Sequence, residues 1–203
     1  MHGWAGHRAQ FADLVGPLVE QGLRVVAFDM PSHGESAPGA LGARSTTFVE
    51  FTAALRAVVD QFGEPYALVA HSAGAIPTAA ALCDGLKAHR LVLLAPTAGV
   101  PHHLRQFAAA MGFGERIRRR VAHRSERLVG APMRHFDVLE LGRAVRMPPT
   151  LVIHDRDDRS TPVSDGAAIA AAWPGTRLHV TTGLGHNKVL RSPDVIARIA
   201  AFL

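Results

Sequence analysis

The sequence predicts an α/β fold in which a mostly parallel sheet of about five strands carries helices on both faces. Short, nearly continuous apolar runs alternate along the 203-residue chain with longer segments whose apolar residues recur at helical spacing. Short unbroken apolar runs are typical of parallel strands, which are buried on both sides. Strands that alternate with helices form a parallel sheet with helices packed against it. The length suits a single domain over residues 1–203.

The first part of the chain predicts two helices and one strand. Residues 7–21 carry apolar side chains at helical spacing and are followed by Gly22, a residue type that often ends helices. Residues 23–29 are a short apolar run and predict the first strand. A loop rich in proline, glycine and serine follows. Residues 48–62 then predict the second helix.

The later elements continue the same alternation. We expect strands at residues 66–71, 90–95, 150–154 and 177–181, and helices at residues 75–82, 162–173 and 193–203. The intervening stretch of about fifty residues before residue 150 carries no strand signal and includes an arginine-rich helical segment. An insertion of that kind over the carboxyl ends of the strands would form a cap. We therefore divide the domain into a core of residues 1–97 and 149–203 and a helical cap at about 98–148.

The net charge of +5 is concentrated in this predicted cap. Residues 101–130 hold seven arginines and two glutamates, which equals the excess of the whole chain. A nucleic-acid-binding protein is expected to be more broadly basic, so we predict no nucleic-acid partner. The arginines would form either a solvated face or a contact with an acidic substrate or partner.

Cysteine content and hydropathy indicate a cytoplasmic protein without a membrane span. Cys83 is the only cysteine, so no disulfide can form within the chain. The residues after Met1 show neither a basic start nor an apolar signal segment. No apolar run approaches the roughly 20 residues that cross a bilayer as a helix. The oligomeric state stays open.

The segment Ala70-His71-Ser72-Ala73-Gly74 lies between a predicted strand and a predicted helix. A serine on such a turn, with small residues two positions to either side, is typical of a nucleophile elbow. The turn would expose the serine hydroxyl at the N-terminus of the following helix. The usual motif is G-x-S-x-G, and Ala70 replaces its first glycine. The alternative is that Ser72 only caps the helix.

A serine nucleophile needs a histidine base, and the base needs a carboxylate to orient it. Downstream of Ser72, one predicted strand runs into an acidic loop that holds Asp155, Asp157 and Asp158. The last predicted strand runs into the glycine-flanked His186. The order Ser, Asp, His is the one found in α/β-hydrolases.

On these residues the chain resembles the α/β-hydrolase fold superfamily, in particular its small esterase-like serine hydrolases. The segment His2-Gly3-Trp4 resembles the oxyanion loop of that family. Residues 29–36, DMPSHGES, resemble its D-x-P-G-x-G-x-S loop, with Ser32 in place of a glycine. The family's acid loop, H-G-x-x-D-x-x-x-P, matches residues 154–162 and places its acid at Asp158. The resemblance thus implies Asp158 as the triad acid, whereas Asp155 occupies a glycine position of the motif.

The resemblance also implies a role for each residue. Ser72 would attack an acyl carbon, His186 would act as base and then as acid, and Asp158 would orient the imidazole. The backbone N–H groups of Trp4 and Ala73 would hold the oxyanion. The implied reaction is hydrolysis of an ester or related acyl bond in a small-molecule substrate. It needs no metal and no organic cofactor.

The sequence is also compatible with other interpretations. The chain would be a catalytically silent scaffold if it only bound a ligand or partner through its basic cap. A metal site is not expected, because the histidines are scattered and the adjacent pair His102-His103 lacks a third ligand at a suitable spacing. Cap residues Phe107, Met111 and Phe113 would either line an acyl pocket or pack within the cap.

The start of the chain departs from the family pattern. Family members usually carry further strands before the HG-x loop, including one between the strands predicted at residues 23–29 and 66–71. We expect this chain to lack those N-terminal strands. The two strand edges would then be unpaired or would pair with each other.

Overall fold

A computed structural model describes residues 1–43 and 45–203 of the chain. These residues form a four-stranded parallel sheet with the strand order β1-β2-β3-β4. The strands are β1 (Ala67–His71), β2 (Arg90–Leu94), β3 (Thr150–Asp155) and β4 (Arg177–Thr181). The predicted α/β class and four of the predicted strands are therefore confirmed.

The α-helices of the described residues follow the predicted alternation closely. They are α1 (Ala12–Glu20), α2 (Phe48–Phe62), α3 (Ala75–Cys83), α4 (Val100–Ala110), α5 (Glu115–Val129), α6 (Val138–Ala144), α7 (Val163–Ala172), α8 (Gly185–Lys188) and α9 (Pro193–Phe202). The start of α2 is fixed by a capping box, in which Thr47 and Glu50 satisfy each other's backbone N–H groups. None of the described helices is long and apolar enough to cross a membrane.

Alternate side chains of the strands pack on opposite faces of the sheet. Leu91 and Leu93 of β2 belong to a core cluster with residues of α2, α3, α6 and α7. Their neighbours Val92 and Leu94 belong to a second cluster with residues of α1 and α9. This period of two is the signature of a strand with both faces buried. Helices on both faces of the sheet are thus confirmed.

The strand predicted at residues 23–29 is wrong. This segment adopts no regular secondary structure, and Val26 within it is 38% exposed. A cavity of about 360 Å³ separates it from the edge strand β1 and is lined by Leu23, Val25, Leu68 and Val69, among others. An apolar run becomes a strand only where a neighbour completes its backbone hydrogen bonds. Here a cavity lies beside the segment where a neighbouring strand would have to be, so its backbone groups have no strand among the described residues to pair with.

The segment between β2 and β3 carries three helices. Leu141 of α6 is buried in the core cluster that covers one face of the sheet. In α4 only Ala108 is buried, and α5 has no buried residue. The helices of this segment therefore differ in burial: α6 packs on the core, whereas α5 lies on the surface. The division into a core and a cap at residue 98 stays a prediction.

Candidate active site

Strand β1 carries Ser72 to the edge of the sheet and into a sharp turn. His71 is still extended, whereas Ser72 has a φ of +54°, which is unusual for a residue other than glycine. A short 3₁₀ turn, Ser72–Gly74, then leads into α3. A β-carbon at Gly74 would lie 2.8 Å from the carbonyl oxygen of His2, so the close chain crossing requires glycine there. A strained residue of this kind, exposed at a strand-to-helix turn, is typical of a nucleophile elbow.

The structure brings Ser72, His186 and Asp158 together. Nε2 of His186 lies 3.0 Å from Oγ of Ser72, and its Nδ1 lies 2.7 Å from Oδ2 of Asp158. The Asp158 side chain is fully buried, and its other oxygen accepts backbone hydrogen bonds from Ser160 and Thr161 at 2.8 and 2.9 Å. The histidine can therefore donate from Nδ1 to the carboxylate and accept the serine proton at Nε2.

The neighbouring carboxylates hold the loop that leads into His186. Asp155 accepts hydrogen bonds from Oγ1 of Thr181 at 2.7 Å and from the backbone N–H of Leu184 at 3.1 Å. Asp157 accepts one from the backbone N–H of Gly183 at 2.8 Å. Burial alone would raise the pKa of Asp155, but these donors hold that pKa below its usual value. Neither side chain makes the contact with His186 that Asp158 makes.

The loop at the start of the chain lies directly against the elbow. A β-carbon at Gly3 would lie 2.8 Å from Cβ of Ser72 and 3.2 Å from the backbone nitrogen of Ala73. Trp4 and Ala73 line the same cleft as Ser72. The backbone N–H groups of Trp4 and Ala73 therefore belong to chain segments that flank the serine, as an oxyanion hole requires.

Two histidines tie this loop to the segment at residues 29–36. Nδ1 of the buried His2 donates to the carbonyl of Gly3 at 2.8 Å, and its Nε2 accepts from the backbone N–H of Met30 at 2.9 Å. His33 accepts from the backbone N–H of Ala5 at 3.0 Å. Burial lowers the pKa of His2 to about 4, so this histidine stays neutral and keeps both bonds at neutral pH.

His71 supports the candidate base from behind. Its Nε2 donates to the backbone carbonyl of His186 at 3.0 Å, and its Nδ1 accepts from Nε2 of Gln10 at 3.1 Å. The two imidazole rings lie 4.7 Å apart. Burial, reinforced by the neighbouring His186, lowers the pKa of His71 to about 4. From the sequence, His71 is expected to be a strand-end residue packed behind the elbow rather than a second base, and no local pattern reveals its contact with His186, 115 residues away.

Ser72 opens into a cleft of about 910 Å³ with two chemically different sides. Its apolar lining includes Trp4, Phe48, Ile76, Val100, Leu104 and Phe107. Its cationic lining comprises Lys188 and Arg191, which follow the candidate base in sequence. No acidic side chain within residues 1–43 and 45–203 lines the cleft. The arginines of α5 lie outside it, and several of them line a separate shallow groove.

The comparisons with known proteins agree with this architecture. The model of the alpha/beta hydrolase family matches residues 1–199. The chain belongs to this family. No curated protein matches its sequence.

Solved structures with the same fold include several enzymes of this family type. A bromoperoxidase from Bacillus anthracis has a TM-score of 0.74 and 18% identity, covering 99% of this chain and 89% of its own. A meta-cleavage product hydrolase from Pseudomonas fluorescens IP01 has a TM-score of 0.73 and 16% identity, covering 99% and 88%. An esterase from Exiguobacterium antarcticum has a TM-score of 0.72 and 16% identity, covering 100% and 89%. At these identities the likeness establishes the fold.

The histidines of this alpha/beta hydrolase do not assemble a metal centre in the part of the chain that the structure describes. No group of three histidine, cysteine, aspartate or glutamate side chains there is arranged to hold a metal ion. His102 and His103 both lie near the buried carboxylate of Asp165, at 3.2 and 3.7 Å. That arrangement links α4 to the start of α7.

Proposed function

We propose that this chain is a serine hydrolase that cleaves an ester or a related acyl bond through an acyl-enzyme intermediate. The observation that carries the proposal is the continuous contact from Asp158 through His186 to Ser72, with distances of 2.7 and 3.0 Å. Both are hydrogen-bond distances: the longer one lets His186 take the proton of Ser72, and the shorter one lets Asp158 orient the imidazole.

The proposed first half-reaction forms the acyl-enzyme. His186 accepts the Ser72 hydroxyl proton at Nε2 while Oγ bonds to the acyl carbon, and Asp158 stabilises the resulting imidazolium. The backbone N–H groups of Trp4 and Ala73 stabilise the oxyanion, and each such donor is worth about 2.7–4 kcal/mol in comparable sites. His186 then gives its proton to the leaving alcohol as the ester bond breaks.

The second half-reaction reverses these roles with water. His186 takes a proton from a water molecule, whose oxygen attacks the acyl-enzyme, and then returns a proton to Oγ of Ser72. The products are a carboxylic acid and the regenerated serine. The apolar side of the cleft suits a hydrophobic acyl or alcohol group.

A fluorophosphonate probe and a short-chain aryl ester test the proposal. We expect the chain to be labelled and to hydrolyse the ester, and Ser72→Ala to abolish both. Ser164→Ala, which changes a serine on α7 away from the cleft, is the matched control and should behave as the unaltered chain. Labelling that survives Ser72→Ala would refute the assignment of the nucleophile. A folded chain that is neither labelled nor active would instead support the catalytically silent scaffold.

A further inference from the structure

Helices α4 and α5 and the turn between them expose an unusual concentration of large apolar side chains. We define the cap face by six of these residues: Phe107, Met111, Phe113, Ile117, Val121 and Leu128. Each is at least 39% exposed, and Leu128 reaches 70%. The rings of Phe107 and Phe113 lie 6.0 Å apart. A concentration of exposed large apolar side chains in one part of a folded protein marks an interaction site.

The apolar side chains of α5 share one side of the helix. Ile117, Val121 and Leu128 are separated by four and seven residues, a spacing that aligns them along the helix axis. The inner side of α5 carries the partly buried residues, such as Ala122 and Val129. The exposed apolar row is therefore additional to the packing side of the helix. Nothing within the described residues covers it.

Unpaired arginines lie beside this row. Arg120, Arg124 and Arg127 form no ion pair with any described residue, whereas Arg118 and Arg119 pair with Glu115. Arg120, Arg124 and Arg127 also line the shallow groove on this helix. The surface thus combines exposed apolar side chains, whose burial would be favourable, with cations that an anionic partner would stabilise.

We propose that the cap face binds the surface of a lipid bilayer that carries anionic headgroups. A helix with an exposed apolar row flanked by arginines is suited to lie in the plane of a membrane interface. The apolar side chains would enter the boundary between headgroups and acyl chains. The arginines would contact anionic headgroups within a Debye length of the surface.

Charge distinguishes this partner from the two obvious competitors. A second copy of the chain would bring the same arginine-rich face against itself in a symmetric dimer, and the like charges would repel. A nucleic acid would attract the arginines but would leave the six apolar side chains without a partner. Of these three partners, an anionic bilayer provides contacts for both the apolar side chains and the arginines.

The cap face adjoins the cleft of the candidate active site, but its binding to a bilayer does not depend on the proposed reaction. Phe107 belongs to the cap face and also lines the cleft that holds Ser72. Binding of the cap face would place the mouth of the cleft next to the bilayer. Vesicle binding by the Ser72→Ala chain therefore tests the surface alone, whatever the outcome for catalysis.

Cosedimentation of the full chain with large unilamellar vesicles tests the inference. We expect binding to vesicles of phosphatidylcholine mixed with phosphatidylglycerol, little binding to phosphatidylcholine alone, and weaker binding as salt rises. Replacing Arg120 and Arg124 together with glutamine should lower the partition coefficient by about 30-fold, from about 1 kcal/mol per basic residue at an anionic surface. The double variant Ile117→Gln and Val121→Gln should lower it by about tenfold or more.

Exposed residues elsewhere supply the matched controls. Val19→Gln on α1 removes an apolar side chain of similar exposure, and Arg198→Gln on α9 removes an exposed arginine. Both should bind vesicles as the unaltered chain does. Equal binding by all four variants, or no binding to anionic vesicles, would overturn the proposal. A dimer that dissociates in the apolar variant, or tighter binding to duplex DNA than to the vesicles, would likewise assign the surface to another partner.

Discussion

The carboxylate of Asp158 accepts a hydrogen bond from Nδ1 of His186 at 2.7 Å, although Asp155, at the end of β3, and Asp157 lie close to it in sequence. The difference arises because those two carboxylates are already engaged by the loop that precedes His186. The three carboxylates therefore have two different roles. Asp158 orients the imidazole of His186, whereas Asp155 and Asp157 hold the loop that precedes His186.

The first prediction follows from this separation. Asp158→Asn should lower kcat for an aryl ester by about 10⁴-fold, the loss seen when a triad carboxylate becomes an amide and the histidine adopts the wrong tautomer. Asp157→Asn removes an equal charge nearby and should retain most of the turnover. A larger loss in the Asp157 variant than in the Asp158 variant would contradict the proposed roles.

The second prediction concerns the stability of the fold as pH falls. His2 and His71 have pKa values lowered to about 4 by burial, whereas the unfolded chain takes up their protons near the ordinary value of 6.5. The unfolded state therefore binds more protons between about pH 6.5 and 4. The free energy of unfolding should decrease with falling pH in this window, by at most about 1.4 kcal/mol per pH unit for each histidine.

Urea unfolding at a series of pH values checks this slope. His71→Gln should flatten the dependence, because one of the two buried imidazoles is then absent. His7→Gln changes an exposed histidine and should keep the slope of the unaltered chain. The explanation fails if His71→Gln and the unaltered chain lose stability in parallel.

The third prediction concerns substrate charge. Lys188 and Arg191 line the cleft without an acidic neighbour among its described lining residues, so an ester with a carboxylate should be preferred over a matched neutral ester. Replacing either cation with glutamine should lower this preference in kcat/KM by about fivefold at most, since exposed ion pairs are worth about 1 kcal/mol or less. The preference should also weaken as salt rises.

A variant of α5 provides the comparison. Arg127→Gln removes the same charge from a groove outside the cleft and should leave the preference unchanged. If Arg127→Gln alters the preference as much as Arg191→Gln does, long-range charge rather than the cleft lining sets it.

The candidate triad could be predicted from sequence because each member follows a recognisable strand. Ser72, Asp158 and His186 come after β1, β3 and β4, and the carboxyl ends of all strands in a parallel sheet lie on the same side of it. The local motifs, together with the rule that parallel strands end on the same side of the sheet, were therefore sufficient to predict that the three residues lie near each other.

Other features depend on contacts that no local pattern records. The link from Gln10 through His71 to His186 joins three distant segments, and the cationic side of the cleft arises from how the His186 loop is oriented. At residues 23–29 the local pattern instead predicts an element that the structure does not contain. Their apolar run has the composition of a strand, but a strand also needs a neighbour, and composition does not reveal whether one is present.

The last prediction concerns the cavity between residues 23–29 and the edge strand β1. The amino group of Met1 donates to the carbonyl of Val69 at 2.5 Å, and the backbone N–H of His71 donates to the carbonyl of Met1 at 3.0 Å. Met1 thus pairs with the open edge of β1. Met1 itself lines the cavity of about 360 Å³, together with Leu23, Val25 and Leu68.

We expect an extension of about five valine and isoleucine residues before Met1 to raise both Tm and aryl ester turnover. A strand in the cavity would pair with β1 and would hold the Gly3-Trp4 segment more firmly against Ser72. Firmer positioning matters for rate, because even 1 Å of misplacement can cost about 100-fold. An extension of the same length made of glycine and serine is the control, since it cannot fill an apolar cavity. Equal Tm and equal turnover for the two extensions would show that the cavity does not accept a strand and that the Gly3-Trp4 segment is already held in place.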